Sequence, residues 1–112
     1  MINICFRDKE KYKLKKNKFY KLKDTNGGHP SLVYGYDDSG EEIKYKAIRF
    51  SSKKSHNNWE LKKSINKKTS PKSFIKKQPE VRDYDSFVDE RLKGFRVKFA
   101  DRKLLRKVKR KK

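Results

Sequence analysis

Short apolar runs separated by turn signals, rather than long amphipathic stripes, organise this sequence. Lys18-Phe19-Tyr20-Lys21-Leu22-Lys23 reads as a strand. Asp24-Thr25-Asn26-Gly27-Gly28 reads as the turn after it, because Asn-Gly and Gly-Gly adopt positive φ at little cost. Pro30 suits the first residue of a second strand, whose Leu32-Val33-Tyr34 predicts burial. Asp37-Asp38-Ser39-Gly40 predicts the next turn. Across residues 42–50, Ile43, Tyr45 and Ala47 alternate with Lys44 and Lys46, the period of a half-buried strand. Ile48 and Phe50 fall on the opposite parity. That predicts either a bulge near Ala47 and Ile48 or a strand end covered on both faces.

The second half is more broken. Residues 51–58 predict a polar loop, Trp59-Glu60-Leu61 a short strand, and residues 62–72 a basic loop. A strand over 73–77 is stopped by Pro79. Tyr84, Phe87 and Val88 are spaced i, i+3, i+4, which predicts one helical turn or more within 81–93, with Leu92 on the same stretch. Gly94-Phe95-Arg96-Val97 predicts a last short strand. Asp101 predicts the N-cap of a terminal helix through Leu104, Leu105 and Val108. Four to six short strands and one terminal helix make a mainly β fold, a small curved antiparallel sheet or barrel.

Length then fixes the scale. At 112 residues the expectation is one domain. It divides into an N-terminal arm (1–17), a core (18–100) and a basic helix or tail (101–112). No stretch approaches the ~20 apolar residues a bilayer requires. Met1 to Asp8 lack the basic and long apolar parts of a signal peptide. Cys5 is the single cysteine, which fits a reducing, cytoplasmic setting.

Charge changes the picture most. Lys and Arg number 34 against 14 Asp and Glu, a net charge of +20. Such a balance with only 32% hydrophobic residues would ordinarily mean disorder. Seven Phe, six Tyr and one Trp oppose that, since each ring buries ~150–250 Å². A self-repulsion this large points to a polyanionic partner, nucleic acid first. A lysine-rich solvent coat is the bland alternative. No amphipathic helix with a broad apolar face favours a membrane surface.

Candidate chemistry is limited in kind. One Cys and two His cannot close a tetrahedral metal site, and no nucleophile-elbow or phosphate-loop motif is present, so no metal or cofactor is expected. Asp37 and Asp38, followed by Ser39-Gly40, read as a hairpin turn rather than a magnesium pair. Two segments are richer. Ser51-Ser52-Lys53-Lys54-Ser55-His56 gathers hydroxyls, ammonium groups and an imidazole directly after a strand. Hydroxyls donate to phosphate oxygens, lysines balance developing negative charge, and imidazole transfers protons near neutrality. A solvated loop is the competing reading. In Gly27-Gly28-His29-Pro30 the glycines let a substrate backbone approach His29, or they simply turn a hairpin.

Together these segments resemble the MazF/PemK-like superfamily of toxin–antitoxin ribonucleases. There a glycine-rich loop, a basic residue and Pro precede an apolar strand, as Gly27-Gly28-His29-Pro30-Ser31-Leu32-Val33 do here. The loop after the later strand is closest to the type III (RNA-antitoxin) toxins. Ser51 stands where those have Thr, and their loop Pro is missing. His29 stands where the MazF branch usually has Arg. The resemblance implies an SH3-like barrel and a metal-independent endoribonuclease acting on single-stranded RNA. It implies attack of a ribose 2′-hydroxyl, leaving a cyclic phosphate and a 5′-hydroxyl. On that reading Ser51 and Ser52 hold phosphate, Lys53 and Lys54 balance transition-state charge, His56 donates a proton, and His29 is a further candidate.

The expected partners are RNA and an antitoxin, either RNA or an acidic protein, with room for a homo-oligomer. Tyr34, Tyr36 and Trp59 are candidate base-stacking residues, with a core or cross-strand position as the other reading. Lys62, Lys63, Lys76, Lys77, Arg102 and Lys103 are candidate RNA contacts. Two other classes stay open: a non-catalytic nucleic-acid-binding module on the same barrel, and a protein whose basic face blocks another protein's acidic surface.

Overall fold

The computed structural model describes residues 12–23 and 29–111. The turn expected over 24–28, most of the N-terminal arm and Cys5 lie outside the described residues. Six antiparallel strands form one curved sheet: β1 (Lys18–Lys21), β2 (Pro30–Asp37), β3 (Lys44–Ser51), β4 (Asn58–Glu60), β5 (Phe74–Lys76) and β6 (Glu80–Asp83). A 3₁₀ turn over Phe99–Asp101 leads into helix α1 (Arg102–Lys109). The sheet path is β1-β2-β3-β5-β4. The free edge of β3 is shared, residues 44–47 pairing with β6 and residues 50–51 with β5. The mainly β architecture with a C-terminal helix is the expected one, as a curved sheet that does not close into a barrel.

The parity change along β3 is resolved by burial on both faces. Neighbouring strand residues point to opposite faces. Phe19, Leu32, Ile48 and Phe50 pack in one cluster with Leu61, Ile65, Ile75 and Val108. Tyr20, Val33, Tyr45 and Ala47 pack in a second with Leu14, Leu22 and Phe87. Ala47 and Ile48, both fully buried, thus belong to different clusters. The register shift lies on β2 instead, between Val33 and Gly35, where Tyr34 is the extra residue. At the β2–β3 turn Asp37 Oδ1 accepts the Ser39 N–H at 3.1 Å, the local bond that favours Asp there.

Residues 81–93 hold the expected helical turn in its shortest form, a three-residue 3₁₀ turn at Tyr84–Ser86 after β6, and no α-helix. Pairing to β1 keeps the helical spacing from extending further. Phe87 bridges Leu22 and Leu92 bridges Phe19, while the Val88 and Leu92 N–H groups donate to Lys21 and Phe19 carbonyls at 2.9 Å. Val88 is left exposed. Residues 94–97 form no strand. Gly94 turns the chain at φ 81°, and the Arg96 N–H donates to the Ile65 carbonyl at 3.1 Å without a ladder.

Asp101 stands just before α1 as expected, but its carboxylate does not cap the helix. It is buried and accepts the backbone N–H groups of Lys62 (2.7 Å) and Lys63 (3.0 Å). The helix is thereby tied to the 61–73 connection. Bonds to a charged acceptor contribute about 1.5–3 kcal/mol each. Asp101→Ala should therefore lower unfolding stability by about 3 kcal/mol in urea melts, with Asp101→Asn intermediate; a loss below about 0.5 kcal/mol in the alanine variant would show that solvent replaces the carboxylate.

Candidate functional site

The β2–β3 register builds the site. Ser31 pairs with Arg49, and continuing that ladder by two residues puts His29 opposite Ser51. On its other side the His29 carbonyl accepts the Leu22 N–H at 3.1 Å, which anchors the residue to the end of β1. His29, Pro30, Ser51, Ser52 and Lys53 line one cavity of about 640 Å³. Its far wall comes from the 61–73 connection, including Thr69, Ser70 and Lys72, and its floor includes Leu92 and Phe95. Two segments more than twenty residues apart in sequence thus meet at one cleft.

The loop after β3 is held by its own polar groups. Ser51 Oγ accepts the Lys53 N–H at 3.1 Å. Asn58, buried at the start of β4, accepts the Ser55 N–H at 3.0 Å and donates to the Lys53 carbonyl at 3.1 Å. These bonds fix the backbone while leaving the Ser52 and Lys53 side chains exposed. Lys54 and His56 are also exposed but do not line the cleft. The segment read as one chemical unit is therefore divided: Ser51 to Lys53 face His29, and the two later residues do not line that cavity.

His29 is held below the ordinary imidazole value, first by burial and then by the charges of Arg49 and Lys76. A hydrogen bond with the Phe50 backbone pulls the other way, and Lys53 adds a smaller lowering. These surroundings favour the neutral imidazole. Neutral imidazole carries an N–H donor and a proton acceptor at once. Among the described residues no Asp or Glu lines the cavity, whereas Lys21, Lys53 and Lys72 do. The arrangement suits an anion that must lose or shift a proton beside it.

The candidate contact residues divide as well. Tyr36 stacks on Tyr12 with ring centroids 3.9 Å apart, meets Tyr45 edge-on, and donates its hydroxyl to the Leu14 carbonyl at 2.9 Å. Trp59 packs against the first cluster and carries the ammonium groups of Lys107 and Lys111, each 4.7 Å from its ring, and of Lys77 at 5.5 Å. Tyr34 is half-buried and faces Lys109 at 5.9 Å. Lys76 extends from β5 near His29, while the Lys62, Lys63, Arg102 and Lys103 side chains are exposed. Sequence reasoning missed Lys21, Lys72 and Arg49, because nothing local marks a lysine or arginine whose role comes from strand pairing. Asn58 did carry a signal: Asn ending a polar loop commonly bonds backbone nearby.

No family model matches the chain, no curated protein matches it, and no solved structure matches it. Among the described residues, no group of three or more His, Cys, Asp or Glu could hold a metal, and no helix is long and apolar enough to cross a membrane.

Replacing Arg49 by Gln should raise the His29 pKa in an NMR titration, because a repelling charge is removed. Lys53→Ala should raise it less. An unchanged or lower value in Arg49→Gln would mean that the cationic surroundings do not govern His29.

Proposed function

We propose that the protein is a metal-independent endoribonuclease of toxin–antitoxin type that cuts single-stranded RNA in the cytoplasm. The observation that carries this is the cleft shared by Ser51, Ser52, Lys53 and His29, whose surroundings favour the neutral imidazole. The toxin assignment, and an antitoxin partner of RNA or acidic protein, rest on the sequence resemblance and on the +20 charge. In the proposed reaction His29 takes the proton of a ribose 2′-hydroxyl. The 2′-oxygen–phosphorus bond forms, the phosphorus–5′-oxygen bond breaks, and the departing 5′-oxygen takes a proton from water. Ser51 and Ser52 hydroxyls hold the phosphate, and Lys53 balances the charge that builds on its oxygens. The proton-transfer role falls to His29 rather than His56, because His56 does not line the cavity.

Incubation with single-stranded RNA in excess EDTA tests the reading. The expected products end in a cyclic phosphate and a 5′-hydroxyl. His29→Ala, Ser52→Ala and Lys53→Ala should each lower cleavage by about a hundredfold or more, the usual consequence of losing a transition-state donor, with much smaller changes in RNA affinity. His56→Ala should cut at close to the parent rate. Intact RNA after prolonged incubation sinks the proposal.

A second reading, a nucleic-acid-binding module without catalysis, is favoured by the three lysines gathered on Trp59. On either reading, binding should weaken with salt, log K falling with log[salt] by about 0.7 per phosphate contact. Affinity unchanged from 50 to 200 mM salt would exclude a nucleic-acid partner altogether.

A further inference from the structure

A second cavity of about 380 Å³ lies beside the first. Its apolar part includes Phe19, Leu32 and Leu105, and its rim carries Arg96, Lys98 and Arg102. Among the described residues no Asp or Glu lines it. Phe95 lines both cavities, so one aromatic side chain forms a wall common to the two. Phe99, also part of this second lining, is 82% exposed, far more than any other large apolar residue among those described. The Arg102 guanidinium lies 5.4 Å from its ring centroid.

Each feature alone is ordinary, since single exposed apolar residues are common on protein surfaces. Their combination is selective. A flat ring open to solvent offers a stacking face, and a cation on the ring strengthens such a contact in nucleic-acid grooves. An apolar recess whose charged lining residues, among those described, are all cationic matches a ligand that joins a flat, weakly polar body to a phosphate. An acidic peptide would satisfy the rim but not the ring and recess. The recess also adjoins the cleft that suits a phosphodiester.

We propose that this cavity is a nucleobase subsite for single-stranded RNA, with Phe99 as the stacking platform and Arg96, Lys98 and Arg102 holding the adjoining phosphates. The inference deepens the ribonuclease reading and rests on it for the direction of the strand: the nucleotide in the subsite neighbours the one cut beside His29. Phe99 is thus a binding residue and takes no part in proton transfer.

Fluorescence anisotropy on the full chain tests this with two labelled probes of equal length and charge, a single-stranded RNA decamer and an abasic ribose-phosphate decamer. Phe99→Ala should weaken the RNA decamer by about tenfold, the usual loss for one stacked base, and leave the abasic probe unchanged. Phe99→Trp should keep the affinity. Unaltered thermal unfolding of both variants is expected for so exposed a side chain. Equal effects on the two probes, or no loss with RNA, would overturn the subsite. Cleavage in EDTA is measured alongside. If the parent protein does not cut but Phe99→Ala still loses base-dependent affinity, the ribonuclease reading fails and the subsite stands. If the parent cuts while Phe99→Ala binds RNA normally, the subsite alone fails.

Discussion

Burial of β1, β2 and β3 on both faces is the constraint from which the rest of this structure follows. A chain with 32% hydrophobic residues has too few to fill one thick core, yet its central strands place apolar side chains alternately up and down. Ala47 and Ile48 are the hinge of this arrangement, because consecutive residues are fully buried in different clusters. A one-residue slip of β3 would exchange the two sets and drive Lys46 inward, so the register is strongly specified. The same register brings the start of β2 to the end of β3, where His29 and Ser51 line one cavity. The candidate site is therefore a consequence of core packing, reached without any local motif that by itself joins the two segments.

Electrostatics then separates the faces of the protein. Glu80 receives both Arg49 (3.2 Å) and Arg82 (2.7 Å), and Lys44 pairs with Asp83, so carboxylates gather on the β3–β6 side. These pairs are partly exposed, and solvent screening leaves them a minor part in stability. Their larger effect is on placement: among the described residues, both cavities are lined by cations without a carboxylate. Asp101 is the exception in depth, buried and bonded to backbone rather than to a side-chain cation. It spends its charge on holding the 61–73 connection against α1, and that connection forms a wall of the cleft.

Strands with a clear period or a clean run were legible in the sequence. β1, β2, β3, β4 and β5 coincide with the runs that predicted them, and Pro30 opens β2 as expected. The failures share a cause. Tyr84, Phe87 and Val88 carry helical spacing, but backbone pairing of Phe87 and Val88 with β1 and Leu22 limits it to one 3₁₀ turn, and that partner lies more than sixty residues away. The 94–97 run has strand composition and no edge to join. Asp101 is a good cap by type, and a buried pair of N–H donors claimed it instead. Within the site, Ser51, Ser52, Lys53 and His29 could be named from sequence because resemblance and residue type pointed to them. Which histidine faces the serines could not, since that depends on the β2–β3 register. Phe99 gave no signal either, because an apolar residue in a β-rich basic chain reads as core until its exposure is seen.

The lowered pKa of His29 has a consequence for the proposed chemistry. Its causes after burial are positive charges, Arg49 and Lys76 foremost. A bound phosphodiester brings a negative charge into the same field and offsets part of that repulsion. By linkage, an anion that raises the proton affinity of His29 binds more tightly when His29 carries the proton. The empty cleft thus favours the unprotonated imidazole, and a phosphate beside it raises the proton affinity of that group. A neutral competitor filling the cleft would lack this effect. On the proposed function, the cationic lining that would attract RNA would also keep the base ready for it, so binding and catalysis would draw on one set of charges.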